Sequence, residues 1–383
     1  MKRRRFASFL LLGILSAASP TGFCVEFGVR GQLSFWLAAH DRPVSEGSSG
    51  LRYIPDFSLK KNFQPGLAFD AEVSVNAYGA LQGTSFRDLE TSGKIKPYRV
   101  WVRIATSRFE ARLGLQKINF GSAMLLRPLM WFDSIDPNDP LQLTEGVYGL
   151  LLKYTFLNNA NVWLWGLYGN DEPAGWQTIP TLGESPEFGG RVQIPSFSGE
   201  MALSFHHRRL DADRSPEPLP PGEKDAVPED RIGFDGKWDI GPGVWVEAGL
   251  TRQGFAYFPL KYQKTLSLGL DYTFSLGHGL HLLAEHLEFD ASSGAWTRGQ
   301  TLSLTALTLD YPLGLLDRIQ GVVFHNWTNG DWYRLATWKR TYDRWSFFLI
   351  GFWNPAQYRI YAGQRHSNLF AGKGFQIMAV FNH

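Results

Sequence analysis

Short runs of alternating apolar and polar residues recur through this chain, and each is closed by turn-forming residues. In 67–79, Phe69, Ala71, Val73, Val75 and Ala77 fall on one side of an extended strand, with Asp70, Glu72, Ser74 and Asn76 on the other. The rhythm returns at Leu266, Leu268, Leu270, Tyr272 and Phe274, interleaved with Thr265, Ser267, Gly269, Asp271 and Thr273. One face of each strand suits hydrocarbon and the other suits water. In lipid an unpaired sheet edge has nothing to bond to, so such strands must close on themselves. The pattern therefore predicts an all-β fold, a transmembrane antiparallel up-and-down β-barrel with a wet interior.

Residues 1–24 stand apart as a signal peptide. Lys2, Arg3, Arg4 and Arg5 form a positive n-region, and the apolar stretch 6–18 is too short to span a bilayer as a helix. Cleavage after Ala18 or after Cys24 fits the small residues there, and the second is favoured, which starts the mature chain near Val25. Phe23 directly before Cys24 argues against lipidation. Residues 25–383 then form one barrel domain. The leader carries four basic and no acidic residues, so removing it leaves fewer basic than acidic groups, from totals of 38 and 36. The sequence pI of about 8.5 thus belongs largely to the leader. With one cysteine, no intrachain disulfide forms, and closure of the sheet replaces such staples.

Mean hydropathy is −0.19, and behind the leader no run approaches the ~18 apolar residues of a spanning helix, which excludes a helical transporter. Aromatic residues make up 15% of the chain, as expected where girdles sit at both membrane interfaces. Trp163, Trp165, Trp238, Trp245, Trp327, Trp332, Trp345 and Trp353 fall near predicted strand ends and are read as girdle residues.

Tight connections near 62–66, 106–108, 157–161, 195–198, 241–243, 276–279, 312–316 and 342–344 read as periplasmic turns. Longer polar segments at 41–50, 80–94, 120–145, 170–186, 210–229, 255–261, 291–299, 328–330 and 354–373 read as outer loops. These connections imply about 18 strands, an even number with both termini periplasmic. Alternation is weaker over 278–290 and 300–327, so 16 strands stays open. The proline-rich, charged segment 215–230 is read as an outer loop, since its prolines cannot donate to a ladder.

The segment 120–145 is too long for a hairpin connection and too apolar for water. Met124, Leu125, Leu126, Leu129, Met130, Trp131 and Phe132 would find cover by folding back into the lumen as a constriction loop. Asp133, Asp136, Asp139 and Glu145 would then offer carboxylates to the water path, with Arg127 on the same loop. By alternation Arg30, Arg99, Arg103, Arg112, Lys153 and Arg191 point inward from the wall. Acidic loop facing basic wall would set a transverse field and a charge preference.

The stretch RLGLQKINFGSAMLLRPLMWFDSIDPNDP, residues 112–140, together with the leader and strand plan, resembles the porin-like outer-membrane proteins of Gram-negative bacteria, especially substrate-specific and polysaccharide-export barrels. The resemblance implies 18 strands, an inward loop after the fifth strand, and insertion by the barrel-assembly machinery. Such barrels end on an aromatic residue, whereas here Phe381 lies two residues before the terminus.

His206, His207, His281, His286 and His325 form no recurring Ser-His-acid spacing, so catalysis is not expected. His206 to Arg209 stand where a strand meets an outer loop, as a polar rim, a phosphate contact for lipopolysaccharide, or a metal site. The expectation is a passive outer-membrane channel for small hydrophilic solutes, anions among the candidates, needing no cofactor and no nucleic acid, as a monomer or homotrimer among outer-membrane lipids and lipopolysaccharide. An exporter of an acidic polysaccharide and a plugged structural or adhesive barrel are the alternatives.

Overall fold

The computed structural model describes residues 25–41, 45–64, 66–84, 88–135, 139–216, 218–220, 222, 224–356 and 370–383. The leader and Asp136 lie outside these residues. Among them run β1 (Val25–Asp41), β2 (Ser45–Gln64), β3 (Leu67–Gly83), β4 (Glu90–Thr106), β5 (Phe109–Gln116), β6 (Val147–Thr155), β7 (Asn161–Leu167), β8 (Glu187–Ser196) and β9 (Gly199–Asp211). The second half is β10 (Ala226–Asp239), β11 (Gly243–Gln253), β12 (Tyr262–Phe274), β13 (Leu280–Ser292), β14 (Gln300–Pro312), β15 (Asp317–Asn326), β16 (Trp332–Thr341), β17 (Trp345–Trp353) and β18 (Lys373–Asn382).

Every strand pairs antiparallel with its sequence neighbours in one 18-stranded sheet. Gln32 opposite Asn382 through Asp41 opposite Lys373 join β1 to β18, which closes the barrel. All eight expected tight turns fall between paired strands. The outer connections at 41–50 and 80–94 are shorter than their sequence suggests, because the β1–β2 and β3–β4 ladders run on to Asp41–Ser45 and Gln82–Glu90. Where a hairpin leaves lipid, its outward face no longer needs apolar residues, so the alternation fades while the hydrogen-bond ladder continues.

The outward face is apolar: Phe35, Leu37, Val102, Ile104, Leu203, Ile232, Leu268 and Ile377 are all exposed there. The inward face is divided. On β1–β5 it carries Arg30, Asp56, Lys60, Asp70, Glu72, Arg103 and Arg112, set by register pairs such as Arg30–Asp56 and Asp70–Arg103. On β13–β18 it carries Leu287, Leu304, Ala306, Val322, Phe324, Leu335, Phe348, Ile350, Phe352 and Met378, all buried in one apolar cluster. These strands are apolar on both faces, which is why 278–290 and 300–327 alternate poorly.

Three of the expected girdle tryptophans point the other way. Trp163 stands opposite Lys153, Trp165 opposite Leu151, and Trp245 opposite Lys237, all on inward positions. Trp327, Trp332, Trp345 and Trp353 are outward and exposed. In β4, Pro97 brings no N–H to the ladder, and pairing slips so that Ser74 meets Arg99 while Val75 meets Pro97. That bulge keeps Arg99 inward and turns the unpaired Tyr98 towards the lumen.

Candidate constriction site in the lumen

The connection 117–146 folds into the barrel and fills one side of it. Its apolar residues divide between two walls. Leu126 and Met130 join the apolar face of β13–β18, while Phe120, Leu129, Trp131 and Phe132 pack with Leu151, Trp165 and Leu167 of β6 and β7. Burying each such side chain is worth roughly 1.5–3 kcal/mol, so these contacts are the main reason the loop leaves water. Met124 is the exception, 55% exposed.

Two wall carboxylates hold the loop's backbone. Glu285 on β13 accepts the N–H groups of Met124 at 2.6 Å, Leu125 at 2.8 Å and Leu126 at 2.5 Å, and the Trp245 indole N–H at 3.0 Å. Glu247 on β11 accepts from Ala123 at 2.6 Å and Leu129 at 3.2 Å. Gly121, with φ of +98°, lies against the Glu247 carboxylate where a Cβ would collide. The connection 168–186 covers the loop from outside: Trp176 Nε1 donates to the Arg127 carbonyl at 2.9 Å and Gln177 Nε2 to that of Trp131 at 3.0 Å. Neither glutamate nor these two covering residues was singled out from sequence. A lone acid in an otherwise apolar inward row, as Glu285 is between Leu283 and Leu287, is the signal that could have found one of them.

The residues expected to line the path take several places. Arg191 is 4% exposed and forms a two-pronged pair with Asp235, its guanidinium 5.1 Å from the Phe120 ring. Arg127 is buried and donates to Asn119 and to the Phe120 carbonyl at 3.3 Å, holding the loop's own turn. Asp133 is 3% exposed and accepts the Ser134 N–H at 2.9 Å. Burial raises the Asp133 carboxyl above the usual carboxylate range, against the lowering effect of that bond. These three do not face a water path, which corrects the expectation. The reason is that the loop's apolar residues carry their polar neighbours into the packed interface with them.

Arg99 clips the loop's exit, donating to the carbonyls of Thr144 at 3.1 Å and Glu145 at 3.0 Å. Glu145 pairs with Lys96, and Asp139 accepts the Leu141 N–H at 3.0 Å within the loop. Asp136 lies outside the described residues. Arg103 bonds Asp70 at 2.8 Å and Glu110 at 3.2 Å, Arg112 bonds Glu110 at 3.0 Å, and Lys153 sits 3.7 Å from the Trp163 ring centroid. The basic wall is thus matched by acids of the strands and, at Lys96, by Glu145 of the loop.

Towards the ends bearing the chain termini, the charged half of the lumen opens into a cavity of about 520 Å³. Arg30, Asp56, Lys60, Asp70, Glu72 and Arg103 line it, with Tyr98, Trp101 and the loop residue Leu143. Arg30 and Lys60 are exposed there, while Asp70 is buried against Arg103.

The histidines are dispersed. His206 points inward, fully buried, with its ring 3.2 Å from both the Trp165 indole nitrogen and the Glu187 carboxylate. His207 points outward and bonds Asp230 at 2.7 Å. His286 contacts Thr305 and Glu288 on the outer face, and His325 stacks on Trp332. The sequence pair His206–His207 is therefore split across the wall. Among the described residues no group of three or more His, Cys, Asp or Glu could hold a metal ion.

No protein-family model matches the sequence, and no curated protein matches it. Solved structures do resemble the fold. OccK5 (OpdH) of Pseudomonas aeruginosa superposes with a TM-score of 0.55 at 11% identity, covering 93% of this chain and 98% of that one. An anion-selective porin from Comamonas acidovorans gives 0.52 at 12% identity, covering 94% and 100%. The trimer form of OmpT, an outer membrane protein of Vibrio cholerae, gives 0.52 at 13% identity, covering 94% and 99%. The closed 18-strand antiparallel barrel is thus the fold of outer-membrane porins.

Proposed function

We propose that this chain is a Gram-negative outer-membrane channel through which small hydrophilic solutes, with anions favoured, diffuse down their gradients. The observation that carries this reading is that the inward loop packs its apolar residues against β6–β7 and β13–β18, while the inner wall of β1–β4 keeps a charged cavity of about 520 Å³ towards the ends bearing the termini. Exposed Arg30 and Lys60, with Asp70 already engaged by Arg103, support the anion preference, set against Asp56 and Glu72 on the same lining. The channel needs no cofactor and no catalytic group. Export of an acidic polysaccharide would call for an unbroken inward arginine track, and the apolar inner face of β13–β18 interrupts it.

Both homotrimer and monomer fit an apolar outer wall, and the trimer form of one structural neighbour supports the first. Phe375, Ile377 and Phe381 face outward on β18, and the pairing of His383 with Gly31 extends that ladder by one residue, which supports recognition of the last strand by the barrel-assembly machinery.

The test is single-channel conductance of refolded protein in a planar bilayer under a salt gradient. Steady conductance with anion preference is expected, and Arg30→Ala with Lys60→Ala should move the reversal potential towards zero. A correctly inserted but silent barrel would overturn the reading. It would favour a plugged structural barrel, which the tight packing around Leu126, Met130 and the buried Arg208–Glu229–Arg231 group also supports.

A further inference from the structure

On four neighbouring strands the outward face changes from apolar to charged near the outer ends. Phe205, Ile232, Leu250 and Leu266 give way to His207, Asp230, Arg252 and Lys264. The ladder places His207 opposite Asp230, Asp230 opposite Arg252, and Arg252 opposite Tyr262 in one row. Arg209 stands one pleat beyond His207 on the same face, and Lys264 one pleat below Tyr262.

Charged side chains facing hydrocarbon are strongly disfavoured, so a cluster of them marks where the belt meets headgroups. The acids here are engaged: Asp230 by His207 at 2.7 Å, and Asp290 by Lys264 at 2.8 Å and by the Gly299 N–H at 2.9 Å. Arg209 and Arg252 are exposed, and neither forms an ion pair with a described residue. They are two strands and two residues apart, roughly 12 Å between Cα atoms from standard sheet spacings. Two extended arginines at that separation can converge on one phosphate group, with the Tyr262 hydroxyl beside Arg252 on the next strand. A guanidinium fork suits phosphate oxygens, and such charge-assisted bonds are about twice as strong as neutral ones.

We infer that the outward face of β9–β12 at its outer end, Arg209 and Arg252 with Tyr262, is a docking site for the phosphate of an outer-leaflet glycolipid. The inference rests on the outer-membrane reading above. A lipid occupies it rather than a free ion because the row is continuous with the apolar column of Phe205, Ile232, Leu250 and Leu266, so one ligand can meet both phosphate and acyl requirements.

Native mass spectrometry of the refolded barrel in detergent tests this, with diphosphoryl lipid A and its dephosphorylated form as probes. Wild-type protein should retain the diphosphoryl lipid in preference to the dephosphorylated one, and Arg209→Gln with Arg252→Gln should weaken retention by about tenfold. Equal retention of both lipids by wild type overturns the site without recourse to any variant. So does equal retention by the double variant, or displacement by inorganic phosphate at the same molarity, which would make the patch a free-anion contact. Conductance of the double variant should match wild type. A silent wild-type barrel in bilayers would sink the channel reading while leaving the lipid measurement to stand on its own.

Discussion

Glu285→Gln isolates the force that positions the constriction loop. Each carboxylate oxygen of Glu285 takes two donors: Oε1 from Met124 and the Trp245 indole, Oε2 from Leu125 and Leu126. Glutamine keeps one oxygen, and its amide group would face two N–H donors that it cannot accept. Two charge-assisted bonds are lost, at roughly 1.5–3 kcal/mol each, and the surviving pair becomes neutral and weaker. A penalty of about 3–5 kcal/mol on the seated loop follows, some hundredfold or more in its opening equilibrium. Burial of Leu126, Leu129, Met130, Trp131 and Phe132 opposes release by a larger sum, so the loop should still sit in the lumen most of the time. The expected phenotype is a folded barrel with flickering current, higher mean conductance, and new chymotryptic cleavage after Trp131 and Phe132, which are buried in the native loop. Quiet channels of wild-type size, together with unchanged resistance at Trp131 and Phe132, would refute the idea that this carboxylate holds the loop.

Other outcomes follow from the same geometry. Arg191→Ala leaves Asp235 buried without its partner and should cost about 3–5 kcal/mol in urea unfolding from vesicles; Arg191→Met with Asp235→Leu should recover most of it, and failure to recover would place the defect elsewhere. Leu126→Ala should lower stability by about 2–5 kcal/mol through a cavity against Met130 and the β13–β18 wall, read by the same unfolding measurement. Asp133 has its carboxyl raised in the folded state, so its contribution to stability is fully present below the unfolded value and is lost as pH rises through the folded one. Asp133→Asn should therefore raise the thermal midpoint at neutral pH, with a gain that shrinks on acidification; a constant difference across pH would contradict this.

Much of the barrel was legible because lipid imposes a two-residue period wherever one face is wet. Residues 67–79 and 265–274 show it plainly, and the eight turns followed from their turn-forming residues. The period failed on β13–β18 for a physical reason: their inner face packs against the loop instead of water, so Leu283 and Leu287 are as apolar as Leu282 on the other side. The same packing misled the reading of Trp163, Trp165 and Trp245, since an aromatic ring near a strand end suits either a membrane interface or a buried lumen. The loop's inward course was legible from its apolar run, but its fastening was not, because Glu247 and Glu285 lie more than a hundred residues away along the chain.

By itself, then, the alternation of side chains determined that this chain closes into a barrel, how its strands are ordered, and which segment turns inward, because each depends on local period and polarity alone. The tertiary structure decided which charges remain open to solvent. Arg30 and Lys60 stay in a cavity while Arg191, Arg127 and Asp133 are enclosed, and that depends on where a folded-back loop meets a distant wall. Burial and pairing are properties of such meetings, and no local pattern encodes them.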